Sequence, residues 1–243
     1  MPRFFEDITP QKGDEICLNS ENANHCARAL RMTAGEHICV CSGGTDYDCI
    51  ITQIGGDFVK CRVESAQKSQ TEPSVFVTLY QCLPKSDKLE TVVQKSVELG
   101  VCEIQPVLSS RCISRPDDKK SAKKTERLCK IAKSACEQSG RGRIVDVLPT
   151  VSFNESVKRA SKADLAIMFY EGGGDSLNNI FKNFSGGSIA VLIGPEGGFS
   201  DDEVRLAKDN GIITATLGRR ILRTETAPLA ALTAIMLLSG NLE

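Results

Sequence analysis

The pattern of apolar and polar positions changes near residue 70. Before it, apolar residues come in short runs at 15–18, 36–40, 48–54 and 58–63, separated by turn formers such as Ser42-Gly43-Gly44 and Gly55-Gly56-Asp57. Short strands at this spacing predict a small barrel, with one helix over 20–32 interrupting them. The polar stretch 65–73 reads as a linker. From residue 74 strand-like and helix-like patterns alternate. Runs at 75–80, 104–108, 165–170, 189–193 and 213–217 read as strands. Residues 88–99, 121–139, 152–160, 201–210 and 224–238 carry helical patterns, the first two closing at Gly100 and Gly140. This rhythm predicts a parallel α/β sheet, whose ligands sit beyond the carboxyl ends of the strands. Two domains follow, 1–70 and 74–243.

Composition narrows the class. In 243 residues, 41% hydrophobic and 25% charged are ordinary values for a soluble globular chain. The longest apolar stretch, 227–238, is interrupted by Thr233 and is shorter than the ~20 residues a bilayer needs. Glu6 and Asp7 arrive before any signal-peptide core can form. The expectation is a cytoplasmic protein without membrane contact. Of the eleven cysteines the closest pair is Cys39 and Cys41, no Cys-x-x-Cys occurs, and only His25 and His37 supply imidazole. That spacing predicts reduced, buried thiols and no metal site.

The net charge of -1 conceals an uneven distribution. Residues 109–143 hold eleven Lys or Arg against four acids, whereas residues 1–72 hold seven against eleven. A basic block in a neutral protein is the electrostatic footprint of a phosphate backbone, or equally a solvated helix face.

Two glycine-rich segments follow predicted strands and open predicted helices. In the first, Ile193-Gly194-Pro195-Glu196-Gly197-Gly198-Phe199-Ser200, glycines permit close approach of backbone to a ligand. Ser200 and Glu203 form a capping-box pattern. The segment lacks both Gly-Lys-Ser/Thr and Gly-x-Gly-x-x-Gly, and Glu196 would repel phosphate. It suits a ligand with hydroxyls, an amine or a positive centre. The second, Leu217-Gly218-Arg219-Arg220-Ile221-Leu222-Arg223-Thr224-Glu225-Thr226-Ala227, brings three arginines, which suggests an anionic substrate beside that ligand. Thr224 is a candidate N-cap, with Pro228 tolerable in the first turn. A third strand end, Tyr170-Glu171-Gly172-Gly173-Gly174, supplies a further wall or is slack in a surface turn.

These two segments resemble the signature of the SPOUT methyltransferases, and more narrowly of the ribosomal RNA small subunit methyltransferase E (RsmE) family. The similarity runs along nearly the whole chain. It takes in Met1-Pro2-Arg3-Phe4-Phe5, His25-x-x-Arg28-Ala29-Leu30-Arg31, Lys85-x-Asp87-Lys88-Leu89-Glu90, Lys95-x-x-Glu98-Leu99-Gly100-Val101 and Glu137-Gln138-Ser139-Gly140-Arg141. Departures lie outside the glycine loops: Val97 stands where the family usually has Thr, and Ile144-Val145 where a proline is common.

The resemblance implies a PUA-like β-barrel, RNA-binding, followed by an α/β domain with a deep C-terminal trefoil knot. It implies S-adenosylmethionine bound by Tyr170, Glu171, Ile193, Gly194, Glu196, Gly197, Gly198, Leu217, Gly218, Ile221 and Leu222. It also implies a homodimer that methylates N3 of a uridine in 16S ribosomal RNA, free or within the 30S particle. Uracil N3 carries a proton, so a base, or a cation that stabilises the uridine anion, is required. Arg223 and Glu225 are the candidates, a mutual ion pair being the alternative. Arg111 and Arg141, with Lys123, Lys124 and Lys130 on the basic helix, are candidates for RNA phosphates, as are Arg3, Arg28 and Arg31 from the barrel. The helix over 227–238 is apolar nearly all round, which requires cover on every side and predicts a dimer. The rivals are a non-catalytic RNA-binding assembly factor and a ribose 2′-O-methyltransferase.

Overall fold

A computed structural model describes residues 1–115 and 117–242, apart from the side chain of Asp118. The chain divides into two compact units, Met1–Glu72 with Cys136–Ile144, and Pro73–Ala135 with Val145–Glu243.

Period-two alternation builds the first unit. In β5 (Val59–Lys68), Val59, Cys61 and Val63 face inward while their neighbours face solvent. It pairs with β4 (Thr45–Ile54), and the five-stranded sheet has the order β1 (Arg3–Phe5), β3 (His37–Ser42), β4, β5, β2 (Glu15–Cys17). The two end strands are not neighbours in that order, so no β1–β2 ladder closes the barrel. Its core joins Phe4, Ile38, Val40, Ile51 and Val59 to the thiols Cys26, Cys49 and Cys61. Burial pushes both the Cys49 and Cys61 thiols up to about 12, so they serve as small hydrophobes. Residues 65–68 are strand, not linker: pairing with Thr45–Asp48 overrides their polar composition. The helix expected over 20–32 is also shorter. Asn19 caps α1 (Ser20–Asn24), and a π-helical turn at His25–Ala29 replaces the rest. That turn points Cys26 inward and sets the His25 ring edge-on to Phe4 at 5.8 Å.

The second unit is a parallel sheet, as the alternating pattern predicts. Its order is β12 (Ile213–Ala215), β10 (Leu165–Phe169), β11 (Ser188–Ile193), β6 (Phe76–Cys82), β7 (Glu103–Leu108) and β8 (Asp146–Val147), with the short β9 (Val151–Ser152) also on β7. Burial on both faces explains why β10 and β11 read as unbroken apolar runs. The helices are α2 (Lys88–Glu98), α3 (Asp118–Ser139), α4 (Phe153–Ala160), α5 (Leu177–Phe181), α6 (Asp201–Asp209) and α7 (Ala227–Leu238). Helix α2 buries Leu89, Val92, Val93 and Val97, a stripe at helical spacing, each worth ~1.5–3 kcal/mol of apolar burial. Helix α3 buries Leu128, Ala132, Ala135 and Cys136, so its lysines are confined to the remaining faces. The two-residue β8 and β9 and the five-residue α5 are too short to register as periodicity.

Candidate active site

Three strands end level with one another. Phe169 of β10 pairs in register with Ile193 of β11 and with Ala215 of β12, so the three loops that follow leave the sheet side by side. Together they enclose a cavity of about 510 Å³, lined by Tyr170 and Glu171, by every residue from 193 to 198, and by every residue from 216 to 224. All eleven residues expected to meet a cofactor line it, and Arg223 with them. Glu225 lies just behind, through its contact with Lys88.

The loop after β11 is held by its own helix. Ser200 accepts from the Glu203 backbone N–H, and the Glu203 carboxylate accepts from that of Ser200, which completes the capping box. The second oxygen of Glu203 accepts from the Ser110 backbone at 2.8 Å, tying the β7–α3 loop to this one. Gly198 adopts φ +65, and a Cβ there would collide with the Glu171 carboxylate. The left-handed backbone demands glycine, while the Glu171 side chain, being exposed, would have to swing aside. The run 172–174 is no slack turn, because a side chain on Gly174 would strike the backbone of Thr214 and Ala215 in β12. Thr224 does not cap α7; the helix begins three residues later, and the Thr224 hydroxyl turns inward to the cavity floor.

One wall of the cavity is governed by a lysine between two carboxylates. Lys88, in the first turn of α2, sets its Nζ 3.3 Å from Glu196 Oε1 and 3.0 Å from Glu225 Oε2. Glu196 also accepts from the Lys85 backbone N–H at 3.1 Å. Burial pushes the Glu196 carboxyl up, but backbone N–H groups and Lys88 outweigh it and hold it below its ordinary range. Glu225 is likewise pushed up by burial, then held lower by its own N–H, by Lys88 and by Arg223. The Lys88 ammonium is raised, chiefly by its hydrogen bond to Glu225. Arg219, Arg220 and Arg223 also line the cavity, and the charge of Arg223 is felt at Glu225. The cavity therefore offers both carboxylate and guanidinium groups to a ligand.

The basic candidates separate into two groups. Arg28 and Arg31 are exposed, Arg28 lying 3.8 Å from Asp57. On α3, Lys123 and Lys130 are exposed and Lys124 partly so, with Lys130 paired to Glu126 at 2.8 Å. Three others are engaged within the protein itself. Arg141 is 3% exposed and chelated by Glu72. Arg3 donates to Asp46 at 2.7 Å and to Cys41 Sγ at 2.9 Å, filling the space where Cys39, Cys41 and Asp46 converge. Arg111 reaches the glycine loop, donating to the Gly197 carbonyl at 2.9 Å. In each case a fixed acceptor captures the guanidinium, a tertiary fact that charge counting does not register.

Sequence reasoning did not assign Lys88 or Thr224 to the site, and it read Arg219 and Arg220 only as a basic surface for an anionic substrate, not as part of the cofactor cavity. The two arginines lay inside the second glycine segment, and Lys88 inside the Lys85-x-Asp87-Lys88 motif at a predicted helix start, which were the available signals.

With this geometry established, the chain was compared with known proteins. Residues 71–236 match the family model of the RNA methyltransferase domain, and residues 11–64 that of the RNA methyltransferase PUA domain. The chain is similar to ribosomal RNA small subunit methyltransferase E of Bacillus subtilis, 37% identical over 97% of this chain and 96% of that one. It is 30% identical to the Mycobacterium bovis protein of the same name, over 98% and 92% respectively. It superposes on a crystal structure of ribosomal RNA small subunit methyltransferase E from Neisseria gonorrhoeae bound to S-adenosyl methionine. The TM-score is 0.89, at 33% identity and 98% coverage of both chains.

Proposed function

The chain belongs to the ribosomal RNA small subunit methyltransferase E family, and from that premise we propose that it methylates N3 of a uridine in 16S ribosomal RNA with S-adenosylmethionine as donor. The observation that carries the reading is the cavity at the carboxyl ends of β10, β11 and β12, walled by both glycine loops and lined by both acidic and basic side chains. At about 510 Å³ it has the size of a small-molecule site. Glu171 and Glu196 on its lining suit a positively charged sulfur, so the residues present fit this donor. When bound, S-adenosylmethionine supplies an electrophilic methyl group on sulfonium.

The protein's own work is positioning and charge. Backbone groups of 193–198 and 216–222 would hold the adenine and ribose, and the absence of a side chain at Gly198 leaves room beside the Glu171 carboxylate. Arg223 faces the cavity with its guanidinium exposed and stabilises negative charge on the uracil ring as the N3 proton leaves. Glu225, kept ionised by Lys88, steers Arg223 or receives that proton. The N3 lone pair forms the new N–C bond, and the C–S electron pair returns to sulfur.

RNA is held by the exposed lysines of α3 and by the first unit, domain 1–70 in this reading. The deep trefoil knot of domain 74–243 belongs to the same proposal, supported by the convergence of three loops on one cavity. A homodimer is supported by the end of α7, where Leu237 is 58% and Leu238 38% exposed. Among the described residues no helix is long and apolar enough to cross a membrane. A ribosomal substrate supports a cytoplasmic site of action.

Nucleoside analysis of 16S ribosomal RNA, taken from a strain lacking this methylation and incubated with protein and S-adenosylmethionine, tests the proposal. The expected product is 3-methyluridine. A ribose-methylated nucleoside would make the chain a 2′-O-methyltransferase. Binding without any product would make it an assembly factor.

A further inference from the structure

Lys88 lies on none of the three loops that form the cavity, yet it touches two of them. Its ammonium bridges Glu196, in the loop after β11, and Glu225, in the loop before α7, at 3.3 and 3.0 Å. The turn that presents it is itself constrained. Ser86 adopts φ +55, a left-handed conformation uncommon for a residue with a side chain. That turn also aims the Lys85 N–H at the same Glu196 carboxylate, 3.1 Å away. Strained backbone of this kind persists only where the surroundings hold it.

We propose that Lys88 is a positioning residue for methyl transfer, an ammonium clasp that fixes the spacing of the two cofactor loops through Glu196 and Glu225. This rests on the cofactor reading above. The clasp differs from a simple counter-charge in what it predicts. A counter-charge would matter for a cationic ligand and not for a neutral one, because removing the ammonium leaves two uncompensated carboxylates that attract sulfonium. A clasp matters equally for both, since each needs the same loop spacing.

The test is calorimetric titration of the full-length protein with S-adenosylmethionine and, separately, with the neutral thioether S-adenosylhomocysteine. Lys88→Met is expected to weaken both ligands by the same factor, at least tenfold, while the melting temperature changes little. Lys88→Arg, which can still bridge two carboxylates, should bring both back to within about threefold. In turnover, Lys88→Met should raise KM for the cofactor more than it lowers kcat. Unchanged affinity for both ligands overturns the proposal, as does tighter S-adenosylmethionine with unaltered S-adenosylhomocysteine, which would leave only a charge effect. Should Lys88→Met fail to fold, Glu225→Gln severs one arm, and unaltered binding of both ligands there overturns the clasp equally. If the wild-type protein binds neither ligand, the cofactor reading itself fails, a distinct result.

Discussion

The hydroxyl of Thr224 donates to the carbonyl of Gly194 at 2.8 Å, joining the segment before α7 to the first residue of the loop after β11. The same oxygen accepts from Gln81 Nε2 at 3.1 Å, so a buried side chain of the central strand β6 lies beneath both loops. Thr224→Val keeps the shape and removes both bonds. Losing the two bonds, with Gln81 Nε2 keeping its bond to the Cys82 carbonyl, costs about 1–3 kcal/mol, which a fall in thermal midpoint would register, whereas Thr224→Ser should stay near wild type. An unaltered midpoint for Thr224→Val would mean that packing alone holds the loops.

The glycine loop makes two different demands at adjacent positions. Gly198→Ala meets both a positive φ and the Glu171 carboxylate, and should remove S-adenosylmethionine binding in calorimetry. Gly197 has no such backbone constraint; a Cβ there lies 3.2 Å from Arg111 Cβ. Gly197→Val should therefore also weaken binding, and pairing it with Arg111→Ala, which keeps the Cβ it meets, should not restore it.

Division of labour between charges can be read kinetically. Neutralising Lys123, Lys124 and Lys130 together should weaken RNA binding and flatten its salt dependence, by ~0.7 in log–log slope for each single-strand phosphate that is no longer neutralised. Cofactor affinity should hold. Arg223→Ala should leave RNA affinity nearly intact and lower the rate at saturating RNA and cofactor, because an interaction made mainly during transfer appears in turnover. Loss of RNA binding with normal turnover would make Arg223 a phosphate clamp.

Acid should loosen the first unit through Glu72. Burial pushes its carboxyl up, but two bonds from Arg141 at 2.8–2.9 Å and the Gly142 N–H hold it below its ordinary 4.5. A lowered carboxyl stabilises the fold above its unfolded pKa, and the contribution is lost as pH falls through the folded value. Wild-type stability should thus decline below about pH 4.5 more steeply than that of Glu72→Gln. At neutral pH the variant should be measurably less stable, since the buried guanidinium loses its carboxylate partner. Denaturant midpoints across that range measure both.

Oligomeric state reports on α7. Light scattering at micromolar protein should give twice the chain mass, and Leu237→Glu should give the monomer mass with the fold intact by circular dichroism. A wild-type monomer would reject the dimer.

Much of this was legible from local pattern. The two glycine segments, their position after strands, and the capping box at Ser200 and Glu203 depend on neighbours within a few residues, where the 2.0 and 3.6 periods and turn chemistry act. The same holds for the alternation of strands and helices beyond residue 74. The first unit was less legible, because hairpin pairing made strand of the polar residues 65–68 and packing widened the helix at His25–Ala29.

What local pattern could not carry is which distant groups meet. Lys88 reaches Glu196 across 108 residues of sequence, and Gln81 reaches Thr224 across 143. Arg3 and Arg141 look like available cations until Asp46 and Glu72 capture them. The sequence by itself determined the longer elements of the α/β region, the glycine loops and the charge inventory, since these follow from neighbours a few bonds apart. The tertiary structure alone decided which of those charges stay open to a ligand and which are spent on the fold. The reason is physical: an ion pair or a shared hydrogen bond forms only when strand order brings its partners within about 3 Å.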